Sequence, residues 1–457
     1  MANATAIGRI ESARSSVTSH CRALLRSALV GDSLSYFGSK VVPGFMGLIS
    51  VPVFIRLIGL DQYGRFAVAV PILMAVAGAG SGWLAQGILR FHPSGNDAHE
   101  REVVFDRAVT GAAIITVFVT SVALAIVLAG LHDSLLTSVA SLAFCLSLLV
   151  YTITLAKFQA QLQPTLVLRR EMVRSTGGFL IPLALIAITG RRQFEFVLLG
   201  QALAYTIAFL PSSRAWGHSR PSANSYPGNL RSDNFSSGQT LRQLWRFGWA
   251  VGLWLLLSQS LPMIDRLTIQ KFASYTTAGI YASLYEVAIR SFSFLLFPLT
   301  QAAHPRIMRA WNEGRFRESH QIIRYSVFAQ LIIFVTILGG VLFGAHRITK
   351  LVLGFDDPVA TRILPVLLVG GFLWQLALLV HKPLEIQQRT GAMLIAMAAV
   401  VVVNLAACFQ FIPRFGFQAA SYILILSASF YIAFTLCISR FGAFRRFRPV
   451  TEPTRTP

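Results

Sequence analysis

The chain has 457 residues, of which 54% are hydrophobic and 13% charged, and its formal net charge is +21. With a mean hydropathy of +0.61 it is not a soluble globular protein, which carries about 25% charged residues. The positive charge sits in short segments between apolar runs rather than in one basic domain with interleaved aromatics, which argues against a nucleic-acid-binding protein.

In chain order, residues 1–33 form a polar, basic tail without the apolar core of a signal peptide. Within it, Cys21–Val30 has amphipathic spacing that fits either a helix lying on the membrane surface or a solvated helix start. The apolar runs then predict an all-α polytopic membrane protein with twelve spans. They lie at 34–57, 66–90, 108–131, 135–156, 174–190, 194–211, 246–269, 278–303, 322–344, 361–381, 391–411 and 416–439. Twelve is even, so both termini share a side. Most of the 40 Lys and Arg fall in the two tails and the loops on that side, which makes it cytoplasmic.

Residues 212–245 are rich in Ser, Asn, Pro and Gly and read as a cytoplasmic linker between two lobes, 34–211 and 246–440, with 441–457 as a C-terminal tail. An internal repeat accompanies this division. Ser50-Val-Pro52 followed by Arg56-Leu57 matches Ser260-Leu-Pro262 followed by Arg266-Leu267, and the His92-Pro93 pair matches His304-Pro305. Six spans per lobe give both lobes the same orientation, so the expected architecture is two pseudo-twofold-related six-helix lobes forming a V around a central cavity. Pro52 and Pro262 fall inside spans, where proline removes a helical hydrogen bond, and are candidate hinges.

The run Ala278–Pro305 reads as a single spanning helix with Glu286 and Arg290 near its middle, four apart on one face. Ionisable groups at that depth cost about 3 kcal/mol or more and face a bundle interior or a wet cavity. The pair is either a structural ion pair or the charged wall of a substrate path. Lys40 lies within the first span, and Arg90, His92, His304 and Arg306 lie at the cytoplasmic mouth. Arg56 and Arg266 read as interfacial anchors, with Asp265 offsetting the charge of Arg266. Gln86, Gln201, Gln375 and Asn404 are either interhelical hydrogen bonds or polar contacts for a ligand.

Chemistry of the enzymatic kind finds no motif. No lysine follows a glycine as a phosphate-binding loop requires, His99-Glu100-Arg101-Glu102 is not a zinc-protease pattern, and no G-x-S-x-G occurs. Cys21, Cys145, Cys408 and Cys437 are scattered without metal-ligand or disulfide spacing, so no metal and no resident cofactor is expected.

The segment Arg56-Leu-Ile-Gly59-Leu-Asp-Gln-Tyr63-Gly64-Arg-Phe66 resembles the turn after the first span of polysaccharide and O-antigen (Wzx-type) flippases. These belong to the multidrug/oligosaccharidyl-lipid/polysaccharide exporter superfamily. The similarity continues through Gly80-Ser-Gly82 to Ala85–Phe91, a glycine-rich second span ending in an arginine. Gly59 and Gly64 are expected in a tight loop with positive φ. The resemblance implies a flippase moving an undecaprenyl-diphosphate-linked oligosaccharide to the periplasmic leaflet of a bacterial inner membrane. Its implied partners are membrane lipid and other polysaccharide-assembly proteins. The chain ends after twelve spans where lipid II flippases usually have two more, which favours an oligosaccharide repeat unit. In that setting Arg290, with Lys40, is the expected diphosphate contact, Lys40 reading equally as a snorkelling lysine. Glu286 is expected to neutralise Arg290 or to carry a proton, with H⁺ or Na⁺ as the coupling ion. The other readings are a cation-coupled multidrug or metabolite exporter and a membrane polysaccharide polymerase, which would carry a large periplasmic loop.

The topology has a direct check. Cysteines introduced at Ser236 and Thr451 are expected to stay unlabelled by a membrane-impermeant thiol reagent in intact cells and to label after permeabilisation. Labelling of either in intact cells contradicts the twelve-span scheme.

Overall fold

The computed structural model describes residues 28–93, 98–130, 134–161, 163–210, 237–296, 299–300, 303, 306–307, 310–311, 313–386 and 389–443. The described chain is helical throughout. Its elements are α1 (Ala28–Ile58), α2 (Leu60–Phe91), α3 (Ala98–Gly130), α4 (Leu135–Ala160), α5 (Pro164–Thr189), α6 (Phe194–Phe209), α7 (Ser237–Phe272), α8 (Tyr275–Leu295), α9 (Phe316–Leu353), α10 (Pro358–Val380), the short α11 (Lys382–Ile386), α12 (Thr390–Phe415) and α13 (Gln418–Ala443). Ten are long and apolar enough to cross a membrane. Of the remaining long ones, α6 is apolar but has 16 residues. The other, α8, is less apolar because it carries Glu286, Arg290 and three tyrosines.

The helices extend beyond the apolar runs that predicted them, because capping and amphipathic ends continue the backbone hydrogen bonding. Helix α2 begins at Leu60, six residues before the expected span. Gly59 has φ +82°, as the turn requires, but Gly64 lies inside α2 and does not have a positive φ. Its missing side chain serves packing instead. A Cβ at position 64 would lie 1.8 Å from the carbonyl oxygen of Tyr275 on α8.

Helix α9 runs to Leu353, nine residues beyond the expected span end at 344, so the connection to α10 shrinks to residues 354–357. The polar stretch around His346 and Lys350 is a helix end whose charges meet Asp356, with Lys350 Nζ 3.0 Å from Oδ2. Gly354, with φ +87°, closes the helix. The Ala278–Pro305 run is likewise not one helix. Its regular part ends at Leu295, three residues before Pro298, which has no N–H to donate. Arg290 is therefore five residues from a helix end rather than near the middle.

The connections after α1, α5, α7, α9 and α12 are short: Gly59 and residues 190–193, 273–274, 354–357 and 416–417. Within the first six helices α1 packs on α5, α2 on α4, α4 on α6 and α5 on α6. The second set repeats this pattern as α7 on α12, α8 on α10, α10 on α13 and α12 on α13. Contacts between the sets follow the same exchange, α2 with α7 and α1 with α8. The repeat is thus a duplication of six helices with preserved packing. In the matched Ser-x-Pro segments each serine, two residues before its proline, bonds back to its own helix: Ser50 Oγ donates to Met46 O at 2.7 Å and Gly47 O at 3.0 Å, and Ser260 Oγ to Leu257 O at 2.7 Å. The comparison of Pro93 with Pro305 lies outside the described residues.

Helix α2 is the spine between the lobes. Near its start it meets α8 at Gly64. Near its end the carbonyl of Trp83 approaches α7 so closely that a Cβ at Gly248 would lie 1.9 Å from it. Gly64→Ala and Gly248→Ala are each expected to cost about 1–3 kcal/mol through overpacking against backbone. Gly339→Ala, where a Cβ would meet nothing, should leave stability unchanged or slightly raised. Thermal unfolding of the detergent-solubilised variants checks this; equal midpoints for all three contradict the close-approach account.

Candidate functional site

Arg266 on α7 and Glu286 and Arg290 on α8 converge because each helix presents them toward the same gap between the lobes. Arg266, six residues from the end of α7, donates from Nη2 to Glu286 Oε1 at 2.7 Å. Arg290, one turn along α8 from Glu286, donates from Nε to Glu286 Oε2 at 2.9 Å. One carboxylate therefore bridges two guanidiniums. Their side chains differ in access: Arg266 is 4% exposed, Glu286 25% and Arg290 37%.

Both arginines also touch the opposite lobe. Arg266 Nη1 donates to the carbonyl of Ala67 on α2 at 3.0 Å, and its guanidinium lies 5.2 Å from the Tyr285 ring centroid. Its Nε has no hydrogen-bond partner among the described residues. Arg290 lies against α1 at Gly47, where a Cβ would be 1.5 Å from Nη1. A side chain at position 47 would displace the guanidinium.

All three open on a cavity of about 230 Å³. Its N-terminal-lobe wall includes Phe54 and Ser50 of α1, Tyr63 of α2, Arg174 and Phe179 of α5, and Gln201 and Tyr205 of α6. Arg174 is neutralised locally, since its Nε and Nη2 both donate to Glu171 Oε2, at 2.9 and 2.7 Å. Three guanidiniums and one carboxylate thus line the cavity, with Glu171 behind Arg174.

Asp265 does not neutralise Arg266. It points into a separate buried cluster, accepting from Tyr281 Oη, Asn404 Nδ2 and Cys408 Sγ, each at 3.2 Å. Asn404 Nδ2 also reaches Ser427 Oγ at 3.2 Å, so Asn404 is an interhelical link. Arg266 is no interfacial anchor either; it is buried at the lobe junction. Its repeat counterpart Arg56 is exposed and donates to Leu351 O at 2.6 Å.

The remaining expected residues do not gather. Lys40 lies within α1, and its side chain falls outside the described residues. Arg90 stacks on Phe247 of α7 at 4.4 Å. His92 turns toward α3, edge-on to Phe105 at 5.6 Å with Nε2 4.0 Å from Glu102. Arg306 is exposed, and His304 lies outside the described residues. Pro52 and Pro262 are both inside regular helix. Of the neutral polar groups, Gln201 lines the cavity, whereas Gln375 is buried with no partner for Oε1 among the described residues.

Sequence reading missed Arg174 and Arg266. The first sat at the edge of an expected span, yet Glu171, Arg174, Ser175 and Gly178 follow the i, i+3, i+4, i+7 spacing of one helical face. The second was masked by its adjacent aspartate.

Comparison with known proteins places the fold. A search of curated proteins finds no similar sequence. Among solved structures the chain is similar to the lipid II flippase MurJ in an inward closed conformation, with a TM-score of 0.64 and 12% identity over 90% of this chain and 87% of that one. It is also similar to an outward-facing multidrug resistance MATE family transporter of the MOP superfamily, with a TM-score of 0.62 and 14% identity over 92% and 97%. A MOP superfamily transporter from Pyrococcus furiosus gives a TM-score of 0.60 and 14% identity over 93% and 98%. These likenesses establish the fold. The model of the family described as "polysaccharide biosynthesis protein" matches residues 29–311, well over half of the chain. This multi-pass helical protein, with the fold of MOP superfamily transporters, belongs to the polysaccharide biosynthesis protein family.

Proposed function

We propose that the chain is a transporter that flips an undecaprenyl-diphosphate-linked oligosaccharide from the cytoplasmic to the periplasmic leaflet of a bacterial inner membrane, by alternating access of its two lobes. The observation that carries this reading is the bridged Arg266–Glu286–Arg290 group at the lobe junction, facing a cavity where guanidiniums outnumber carboxylates. A diphosphate is the anion that a guanidinium fork matches, and a site shielded from bulk water strengthens the attraction. The family description fits surface-polysaccharide synthesis.

Two observations weigh against the other readings. A cationic cavity suits an anionic substrate better than the cationic drugs of a multidrug exporter. Among the described residues, the connections on the expected periplasmic face have at most four residues, which does not fit the large loop of a polymerase. Both termini are cytoplasmic in this scheme. The coupling ion, H⁺ or Na⁺, is assigned to a carboxylate within the membrane. Glu286 already has both oxygens on guanidiniums, whereas the hydrogen-bonding side-chain partners of Asp265 are uncharged.

The roles of the two arginines separate by mutation. Arg290→Ala is expected to abolish surface-polysaccharide export with normal membrane abundance, because Glu286 keeps its bond to Arg266. Arg290→Lys recovers part of the export, since the charge remains without the fork. Arg266→Ala instead strips a buried partner from Glu286 and from the Ala67 carbonyl, a loss of about 3–5 kcal/mol, so abundance falls with export. Immunoblotting of membranes beside polysaccharide quantification reads both. Export restored in the Glu286→Ala, Arg290→Ala double variant contradicts a substrate role for Arg290.

A further inference from the structure

The two walls of the cavity carry different chemistry. The wall from α7 and α8 is ionic, with Arg266, Glu286 and Arg290. The wall from α5 and α6 holds the amide of Gln201, the rings of Tyr205 and Phe179, and Arg174. Phe179 and Tyr205 are only half-buried, so part of each ring remains accessible. Tyr205 is held by an edge contact with Phe144 at 5.9 Å and by the Arg174 guanidinium at 5.6 Å. Aromatic rings beside an amide suit a polyhydroxylated ring, which offers C–H faces for stacking and hydroxyls for hydrogen bonds.

Charge narrows the class further. Arg174 spends two donor nitrogens on one oxygen of Glu171, a residue that is itself buried. Its charge is therefore answered within the lobe, unlike that of Arg290, which shares one carboxylate with Arg266. Size narrows it too. A cavity of about 230 Å³ is below the range of about 300–1,000 Å³ in which pockets enclose drug-sized ligands. It suits a single sugar ring beside the phosphates and not a whole repeat unit.

We infer that the N-terminal-lobe wall is a sugar subsite, reading through Gln201 and Tyr205 the one sugar joined directly to the diphosphate, and that it takes a neutral hexose-type ring in preference to an acidic one. This rests on the flippase reading above. In it, the C-terminal lobe holds the phosphates and the N-terminal lobe the first sugar, so substrate bridges the lobes that must move.

Three short-chain probes test this on the purified full-length protein in detergent: farnesyl diphosphate, farnesyl diphosphate-linked glucose and farnesyl diphosphate-linked glucuronic acid. Binding is read by microscale thermophoresis. Wild-type protein is expected to bind the glucosyl probe about tenfold more tightly than the bare diphosphate, and more tightly than the glucuronosyl probe. Gln201→Ala and Tyr205→Leu should each remove most of that tenfold gain while bare diphosphate binds as in wild type; unchanged thermal midpoints exclude misfolding, and Gln201→Glu provides a second variant of near-equal volume. Equal affinity of wild type for bare and glucosyl probes overturns the inference alone, as does a preference for the glucuronosyl probe. Failure of wild type to bind any of the three overturns the flippase reading and the inference with it.

Discussion

The structure depends on the way one carboxylate is placed between two guanidiniums inside a bilayer. An isolated charge at such a position is too costly to keep, and a simple pair would be electrically inert. Glu286 stabilises both Arg266 and Arg290 while leaving the group with one net positive charge. The buried arginine fastens α7 to the α2 carbonyl of Ala67, and the more exposed one faces the cavity and the α1 backbone at Gly47. In the reading proposed above, structural and ligand-facing roles, which looked like alternatives for a single pair, are divided between two residues.

This arrangement fits the closest lobe contacts being made where a glycine meets backbone. An arginine that reaches across a lobe boundary requires the helices to be close, and α2 achieves that at both ends through positions where a Cβ would strike a carbonyl oxygen. Packing against backbone is unforgiving, so it defines discrete contacts rather than a continuum of separations. Two lobes built on the same six-helix packing and joined along such contacts suit rigid-body rocking.

Much of the architecture was legible in the sequence because lipid demands long apolar runs and a duplicated chain leaves paired motifs. The twelve long helices, the two-lobed division and the Ser-x-Pro pairs all have their counterparts in the structure. What failed did so for identifiable reasons. Hydropathy reports the apolar part of a helix and not its hydrogen-bonded length, so α2 and α9 came out short and Gly64 was put in a turn. Arg290 appeared central because Pro298 was read through as helix. Glu286 and Arg290 were visible as an i, i+4 pair, but the third member, Arg266, comes from another helix, and only the packing of α7 on α2 and α8 brings it there. Arg174 was in plain sight at helical spacing with Glu171 and was lost to a misplaced helix start.

The central claim is that the cavity at the lobe junction is a diphosphate site presented by Arg290. It is tested most directly by the thermal unfolding of purified protein with added inorganic pyrophosphate at matched ionic strength. A ligand that binds only the folded state raises the midpoint in proportion to its occupancy. The account predicts a concentration-dependent rise for wild type that is absent in Arg290→Gln. Equal rises in the two proteins, or none in wild type, would contradict it.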